Sequence, residues 1–414
     1  MSGDDANKKL KWIYGRAFAS SLGNGMVSPF IYVYAARIGA SSGEIGWMHS
    51  FNNLFTNSLQ VPFGRLTDSI GRRIPIIVIT SILASFLWIP IALVTQPRFF
   101  IFLVALQFLL ASVSVPAWNA LISESSQAST RSIIISNINI ASLTGGLIAT
   151  FFSGWLIDYA RGEIIVSATL ASILGSAGAL ILLKVREKKV KPSRISLGPL
   201  FRISDILSLI NENTDFRLFL KLVALQSFFM SFAWPLFTIT TAIVLNLSMG
   251  EVGVLSVIQT VSTILSQALM GHLAIRIGKK PLIIFHYISL TTVPLVYCFA
   301  SGFIHIAILN MFLGFVTASG NATILPYILD TIPEDRVGEA TSIYNMVIGI
   351  AYFTGSALGG NLTELLNQSF GRTVSLRIGY FISAFGRFTM GVSFLKIRET
   401  GRLTKRKIGL KTFK

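Results

Sequence analysis

Ten consecutive residues say most about this chain: Gly64-Arg-Leu-Thr-Asp-Ser-Ile-Gly-Arg-Arg73. The two glycines allow a tight backbone turn and a close approach of helices, while Asp68 places one acid among three arginines. Apolar stretches precede and follow this decapeptide, at 44–64 and 74–95. The segment therefore predicts a short charged turn between two apolar helices.

The composition places these helices in a membrane. Of the 414 residues, 52% are hydrophobic and 13% are charged, and the mean hydropathy is +0.67, whereas a soluble chain carries roughly 25% charged residues. These values exclude an ordinary cytosolic enzyme, a disordered chain and a soluble nucleic-acid-binding domain, despite a net charge of +17. The single cysteine, Cys298, excludes an internal disulfide and a cysteine-based metal cage. We expect no metal site and no cofactor.

Twelve stretches have the roughly 20 mostly apolar residues that a membrane helix requires. We number them span 1 to span 12, at 12–36, 44–64, 74–95, 99–121, 133–157, 164–184, 217–244, 251–271, 281–300, 304–328, 339–362 and 374–396. The long connection after span 6 is too charged for a bilayer core, and its second part predicts an amphipathic helix on the membrane surface. The predicted all-α organisation is a six-helix bundle at 1–184, a linker at 185–214, a second six-helix bundle at 215–397 and a basic tail at 398–414.

Basic residues predict the orientation. If the N-terminus lies in the cytoplasm, 29 of the 35 Lys and Arg residues fall on the cytoplasmic side. Basic residues collect in cytoplasmic loops of membrane proteins. We therefore expect a multi-pass protein of the cell membrane with both termini in the cytoplasm.

The two halves are copies of each other. The decapeptide has a second version 207 residues later, Gly271-His-Leu-Ala-Ile-Arg-Ile-Gly-Lys-Lys280, in which Ile275 replaces the acid. At the same distance, Gly43-Glu-Ile-Gly46 corresponds to Gly250-Glu-Val-Gly253. A parallel duplication of a six-helix bundle gives two halves related by an axis along the membrane normal, an arrangement that rocks about a site between them.

The decapeptide resembles the signature of the major facilitator superfamily, G-x-L-a-D-r-x-G-R-R, and the resemblance extends over the twelve spans and the central linker. It implies a transporter in which Asp68 and Arg72 belong to a cytoplasmic latch that breaks when the protein opens inward. The other candidate latch residues are charges or turn glycines at the cytoplasmic ends of spans: Gly64, Arg65, Gly71, Arg73, Glu124, Arg131, Asp330 and Arg336. Solvated loop charge is the alternative for these residues.

Polar side chains within the spans predict a cavity. The resemblance implies that spans 3, 6, 9 and 12 face outward and that the other eight line it. Polar side chains in a membrane tend to face the interior, although some only join helices. The candidates are Asn24, Tyr32, Asn53, Asn57, Gln107, Trp118, Asn137, Gln226, Trp234, Gln259, Asn310, Asn321, Tyr344 and Asn345. Pro29 in span 1 and Pro235 in span 7 predict matching helix breaks, which point to a binding site.

The ionisable residues of the spans are few. Acids lie near the ends of the spans and none near a middle, so His49 and His286 are the candidates for carrying a coupling proton. Arg387 is the one deep charge. Because span 12 is expected to face outward, we interpret this arginine as a packing residue.

The stretch Ser28–Gly46 resembles drug exporters of the drug:proton antiporter group. In contrast to that group, Gln107 stands where coupled members have arginine, and Ala149–Gly154 lacks the proline of the antiporter motif. We expect a secondary transporter that exports amphipathic compounds by alternating access. Uptake or facilitated passage of a neutral polar solute such as a sugar is the alternative, and a non-transporting membrane sensor is a more remote one.

The sequence contains no catalytic set for an intramembrane enzyme, so we expect no enzymatic activity. The expected partners are a small-molecule substrate, a coupling proton or other ion, and the lipid bilayer. Nucleic acid is not an expected partner, and a monomer is the expected state.

Replacing the acid of the decapeptide tests the latch. Asp68→Asn removes one charge, and several surface ion pairs of about 0–1 kcal/mol each together bias a two-state transporter. We expect the variant to shift toward the inward-facing state. Maleimide labelling of cysteines introduced into the cavity, in a Cys298→Ser background, measures this shift. Unchanged labelling would contradict the latch, and Ile275→Val in the second copy serves as the control.

Overall fold

The computed structural model describes residues 3–125, 131–185, 187, 203–333 and 336–400. Over these ranges the chain is helical and has no strand, which confirms the predicted all-α class. Its contacts form two compact units. Unit 1 comprises the described residues of Met1–Leu200 together with Thr238–Val257, and unit 2 those of Phe201–Phe237 and Ile258–Lys414. Most of the predicted linker and the tail from residue 401 lie outside the described residues.

Spans 1 to 6 are built from nine helices in the described ranges. They are α1 Gly3–Gly25, α2 Ile31–Arg37, α3 Ser42–Asn53, α4 Gln60–Ile70, α5 Ile74–Phe86, α6 Trp88–Leu93, α7 Pro97–Ser125, α8 Arg131–Tyr159 and α9 Ile165–Ile181. A π-helical turn, Leu54–Ser58, joins α3 to α4, and a 3₁₀ turn, Leu182–Lys184, follows α9. Spans 1, 2 and 3 therefore each consist of two helices with an irregular junction.

The second half repeats this construction after one extra helix. The described helices are α10 Ile203–Glu212, α11 Thr214–Phe232, α12 Trp234–Ile239, α13 Met249–Ile277, α14 Lys279–Ser289, α15 Thr292–Phe299, α16 Phe303–Thr331, α17 Val337–Phe370 and α18 Arg372–Ser393. A π-helical turn, Thr240–Val244, ends span 7, and a 3₁₀ turn, Phe394–Lys396, ends span 12. The helix α10 corresponds to the predicted amphipathic helix.

Length and apolarity of the helices agree with a membrane location. Within the described ranges, nine stretches are long and apolar enough to cross a bilayer, and they coincide with spans 3 to 10 and span 12. The helices at spans 1, 2 and 11 fall short of that measure. Spans 1 and 2 are interrupted, and α17 carries several amide and acidic side chains.

Helices at equivalent positions of the two units have equivalent neighbours. In unit 1, α1 packs against α8 and α9, and α5 packs against α7 and α9. In unit 2, α11 packs against α17 and α18, and α14 packs against α16 and α18. The neighbours of spans 1 and 3 thus reappear as the neighbours of spans 7 and 9, as a parallel repeat requires.

The break in span 1 leaves backbone carbonyls that span 5 satisfies. Helix α1 ends at Gly25, and Pro29 lacks the N–H that would bond to the Gly25 carbonyl four residues earlier. The Thr150 hydroxyl donates to that carbonyl at 3.3 Å, and the Ser153 hydroxyl donates to the Met26 carbonyl at 2.6 Å. Side-chain donors of α8 therefore stabilise the broken helix where no water is available in a bilayer.

Span 7 is broken in the same way, and Arg387 of α18 satisfies two of its free carbonyls. The last four carbonyls of a helix lack intrahelical partners, and α11 ends at Phe232. The guanidinium donates to the carbonyls of Phe229 at 3.5 Å and Met230 at 2.8 Å. It also donates at 2.8 Å to the carbonyl of Leu290, which Pro294 deprives of its partner four residues later.

The two faces of α18 explain how an arginine fits in this helix. Arg387 is 1% exposed, and Ser383 on the same face is fully buried. On the other face, Phe381, Phe385 and Phe388 are 52%, 75% and 51% exposed. In a bilayer the apolar face meets lipid and the polar face meets protein, so the predicted packing role of Arg387 has a defined geometry.

Removing this arginine tests its structural role. Arg387→Met leaves three buried carbonyls without a charged donor, and we expect the free energy of unfolding to fall by about 3 kcal/mol. Thermal unfolding of the detergent-purified protein measures the effect. Arg387→Lys should restore part of the loss, because an ammonium group cannot reach all three carbonyls in the fork geometry of a guanidinium. Arg372→Met, exposed in the first turn of α18, is the control, and an equal loss there would refute the assignment.

Candidate functional site

The decapeptide ends α4 with a glycine turn and begins α5 with a charged cluster. Gly71 has a φ of 67°, a left-handed conformation that glycine adopts without strain. Arg73 is 6% exposed, and its Nε lies 3.4 Å from Oε1 of Glu124 at the end of α7. The Glu187 carboxylate accepts from the backbone N–H of Arg73 and, at 3.2 Å, from that of Ile74. These contacts join the ends of spans 3, 4 and 6, and the Gly71 turn connects span 2 to them.

The second copy of the decapeptide builds the same cluster in unit 2. Lys279 pairs with Asp330 at the end of α16 and donates at 3.0 Å to the Pro326 carbonyl. The Glu399 carboxylate accepts at 3.0 Å from the backbone N–H of Lys279 and at 3.0 Å from that of Lys280. Gly278 has a φ of 96°, and a Cβ there would lie 2.5 Å from the Glu399 carboxylate. Each unit thus caps the first turn of its third span with a glutamate.

The roles of Glu187 and Glu399 were not predicted from the sequence, although a repeated pentapeptide contains both residues. They end the pentapeptides Leu183-Lys-Val-Arg-Glu187 and Leu395-Lys-Ile-Arg-Glu399, which lie 212 residues apart. That offset differs from the 207 of the decapeptide because the second half is longer before this point. A search at several offsets would have matched the two pentapeptides.

The structure separates the predicted latch residues. Arg73 is the buried partner of Glu124, whereas Arg65 and Arg72 are exposed. The nearest contact of a Cβ placed on Gly64 is Pro116, at 3.8 Å. The side chains of Asp68 and Arg131 lie outside the described residues.

Arg336 belongs to a different contact, next to α10. Its Nη1 lies 2.8 Å from the Glu212 carboxylate, and its Nε lies 3.0 Å from the Glu339 carboxylate. The hydrogen bond to Glu339, together with both negative charges, raises the pKa of the guanidinium above its usual range. Leu209 on α10 is 2% exposed and packs into the core of unit 2. The amphipathic helix is therefore attached to the start of span 11 by one apolar and one charged contact.

At the opposite ends of the spans, unit 1 contains another helix cap. The two oxygens of Asp158, near the end of α8, accept from the backbone N–H groups of Met249 at 2.8 Å and Gly250 at 2.7 Å. Arg37 donates to the Leu247 carbonyl. A carboxylate is favourable at the positive end of a helix, so this contact fixes the first turn of α13 against span 5.

The glutamate of each repeated Gly-Glu-x-Gly segment caps the start of a helix. Glu44 and Ser41 bond reciprocally, with the Ser41 N–H donating to Glu44 at 3.0 Å and the Glu44 N–H donating to the Ser41 hydroxyl at 3.2 Å. Glu251 and Ser248 do the same at 2.7 and 3.1 Å. These capping boxes begin spans 2 and 8, at equivalent positions of the two halves.

Unit 1 encloses a polar cavity of about 470 Å³. Four of the predicted residues line it, namely Asn24, Tyr32, Gln107 and Trp118. The Tyr32 hydroxyl accepts from Asn52 at 3.0 Å, and the Tyr32 ring stacks on His49 with centroids 3.9 Å apart. Arg16 also lines the cavity, although the sequence tally placed it with the basic N-terminal residues.

Unit 2 encloses a second cavity, of about 710 Å³. Five predicted residues line it: Trp234, Gln259, Asn310, Asn321 and Tyr344. His286 and Arg387 contribute as well. The Nδ1 of His286 lies 2.7 Å from the Val316 carbonyl, which assigns the proton of a neutral ring to Nδ1 and leaves Nε2 as an acceptor. Trp234 lies against Tyr352, with ring centroids 4.8 Å apart.

Spans 3, 6, 9 and 12 also contribute to the walls of these two cavities. Trp88 and Gly175 line the cavity of unit 1, and His286 and Arg387 line that of unit 2. The reason is that both cavities lie inside a unit, where every span has an inner face.

The remaining cavity candidates lie elsewhere. Asn53 and Asn57 donate back to the carbonyls of His49 and Asn53, at 2.8 and 3.1 Å. Asn137 is exposed on α8. Gln226 is buried and donates at 3.3 Å to the Tyr287 carbonyl, and Asn345 is half-buried outside the residues that line the unit 2 cavity.

Comparison with known proteins gives one family and one fold. The family model described as Major Facilitator Superfamily matches residues 15–222 and 219–413. The solved structure of the nucleoside transporter NupG is similar, with a TM-score of 0.74 and 12% identity over 94% of this chain and 99% of that chain; a mutant of NupG has a TM-score of 0.78 at 13% identity. A bacterial homolog of the human lysosomal transporter Spinster, inward-facing and unoccupied, has a TM-score of 0.68 and 13% identity over 96% of this chain and 99% of that chain. Comparison with curated protein sequences gave no match.

The glutamate caps can be tested one unit at a time. Glu187→Gln and Glu399→Gln each replace a carboxylate that accepts two backbone N–H groups, and we expect each to lower the free energy of unfolding by about 1 kcal/mol. Thermal unfolding in detergent measures the loss. Glu163→Gln, an exposed site, is the matched control. If the cap variants unfold with the same midpoint as this control, the caps do not stabilise the helix ends.

Proposed function

Because this chain belongs to the major facilitator superfamily, we propose that it is a secondary transporter that moves a small molecule across the cell membrane by alternating access. In this proposal both termini are cytoplasmic, the protein works as a monomer, and it catalyses no covalent chemistry. A proton or another ion is the proposed coupling partner, with His49 and His286 as its candidate carriers.

The observation that carries the proposal is the pair of polar cavities, one in each unit. Each is bordered by a span with a helix break, span 1 at Pro29 and span 7 at Pro235. Interrupted helices at matching positions of two repeats are typical of transporter binding sites. Amide, hydroxyl and aromatic side chains line both cavities, which suits a ligand with polar groups on an apolar body.

The charged clusters support a rigid-body mechanism. Arg73, Glu124 and Glu187 join three spans of unit 1, and Lys279, Asp330 and Glu399 join the equivalent three of unit 2. Spans joined at their ends move together, as rocking about a central site requires. In this mechanism Asp68 and Arg72 belong to the cytoplasmic latch.

We favour export of amphipathic compounds as the direction and substrate class. Aromatic side chains lie beside the polar ones in both cavities, for example Trp118 in unit 1 and Trp234 in unit 2. Passage of a neutral polar solute is the second candidate, supported by the amides Gln259, Asn310 and Asn321 in the unit 2 cavity.

Counterflow in proteoliposomes tests the function. The purified chain is reconstituted, and exchange of four labelled probes is measured: tetraphenylphosphonium, chloramphenicol, salicylate and glucose. We expect at least one of the three amphipathic probes to exchange faster than in protein-free liposomes, while glucose does not. Asp68→Asn should slow this exchange, because without the latch the protein spends longer in the inward-facing state in each cycle.

The outcomes separate the candidate functions. Exchange of glucose alone would replace the exporter proposal by passage of a neutral solute. Absence of exchange for every probe, with an unfolding transition that shows the protein to be intact, would favour the non-transporting sensor.

A further inference from the structure

Among the described residues of unit 1, one half-buried arginine on the cavity wall has no carboxylate partner. Arg16 in α1 lines the cavity, and its guanidinium carbon lies 3.9 Å from the centroid of the Trp118 ring. Its Nε is buried and has no hydrogen-bond partner among the described residues. The residues that line this cavity include no Asp or Glu. Burial of an unpaired charge is costly unless something else neutralises it.

The other arginine of a cavity wall shows what a satisfied guanidinium looks like in this protein. Arg387 donates to three backbone carbonyls of spans 7 and 9. Its donors are therefore committed to the fold. Arg16 has a stacking contact instead, and stacking on an indole leaves the edge of the guanidinium plane available to an acceptor.

A second orphan group lines the same cavity. Gln107 is 3% exposed, and its Oε1 is buried without a hydrogen-bond donor among the described residues. Buried polar atoms are nearly always paired. Counted over the residues that the structure describes, the cavity of unit 1 therefore presents one unpaired donor, the Nε of Arg16, and one unpaired acceptor, the Oε1 of Gln107.

We propose that the cavity of unit 1 binds an organic anion that also carries a hydroxyl or N–H group. Its carboxylate or phosphate bonds to the guanidinium of Arg16, and its hydroxyl or N–H donates to Oε1 of Gln107. The volume of about 470 Å³ suits a small organic molecule. The rings of Tyr32, Phe108 and Trp118 in the wall suit a planar apolar body. This inference rests on the proposed function, because it names the substrate class of the transporter.

Matched probes of one shape and different charge test the proposal. The thermal unfolding midpoint of the full-length protein in detergent is titrated with 4-hydroxybenzoate, 4-hydroxybenzamide, benzoate and phenyl phosphate. We expect the anions to raise the midpoint and the neutral amide to leave it unchanged. The stronger of benzoate and phenyl phosphate identifies the anionic group, and 4-hydroxybenzoate should bind more tightly than benzoate because it can donate to Gln107.

Three variants assign the contacts. Arg16→Gln should weaken the apparent affinity for 4-hydroxybenzoate about tenfold or more, because a charge-assisted hydrogen bond is lost. Gln107→Leu should make 4-hydroxybenzoate and benzoate bind equally. Lys11→Gln removes an exposed charge from the same helix and should change nothing. If Arg16→Gln does not fold, Arg16→Lys is used, and it should retain the preference for anions.

The proposal is overturned if the amide stabilises the protein as much as the carboxylate, if no anion stabilises it, or if Arg16→Gln binds as the unmodified chain does. Exchange of tetraphenylphosphonium or chloramphenicol in proteoliposomes, together with absence of anion binding, would remove the anion site and leave the transporter proposal intact. Anion binding that depends on Arg16, together with no exchange of any probe, would support the anion site and contradict the transporter proposal.

Discussion

The structure depends on one constraint, which is that a backbone carbonyl inside a membrane must find a donor within the protein. Pro29, Pro235 and Pro294 each remove a donor from a helix in the described chain. The carbonyls that they free are met by Thr150, by Ser356 at 3.3 Å and by Arg387. Polar side chains of spans 5, 11 and 12 therefore stabilise the broken helices of spans 1, 7 and 9.

The same constraint gives the two arginines that line the cavities different roles. A guanidinium has five N–H donors and no acceptor, so in an apolar interior it needs several carbonyls or an anion. Arg387 lies where two broken spans supply three carbonyls. Arg16 lies on a helix that is continuous at this point, with its guanidinium over the Trp118 ring and no acceptor for its Nε among the described residues. An organic anion is the partner that we propose for it.

Local patterns in the sequence predicted the helices, and tertiary contacts decided the rest. The apolar stretches, the repeat at 207 residues and both proline breaks are local features, because length, spacing and the missing N–H of proline act within a few residues. The pairing of Arg73 in preference to Arg72 depends on which side of the turn faces Glu124, and a dipeptide of two arginines does not encode that. The caps by Glu187 and Glu399 join residues more than 110 positions apart. Arg16 was assigned to the loop charge because a tally of basic residues ignores side-chain direction.

The two units agree at the ends of their helices and differ in their cavities. The pair Arg73–Glu124 in unit 1 corresponds to the pair Lys279–Asp330 in unit 2. Beside each pair a glutamate accepts from backbone N–H groups at the start of a helix, Glu187 at α5 and Glu399 at α14. At these positions the two copies differ only in ways that keep the charge, in agreement with the preference of helix ends for partners of one sign. The cavity walls carry no such requirement. Among the described residues, the unit 1 wall has an arginine whose Nε lacks a partner, whereas the arginine of the unit 2 wall, Arg387, is bonded to three backbone carbonyls beside the amides Gln259, Asn310 and Asn321.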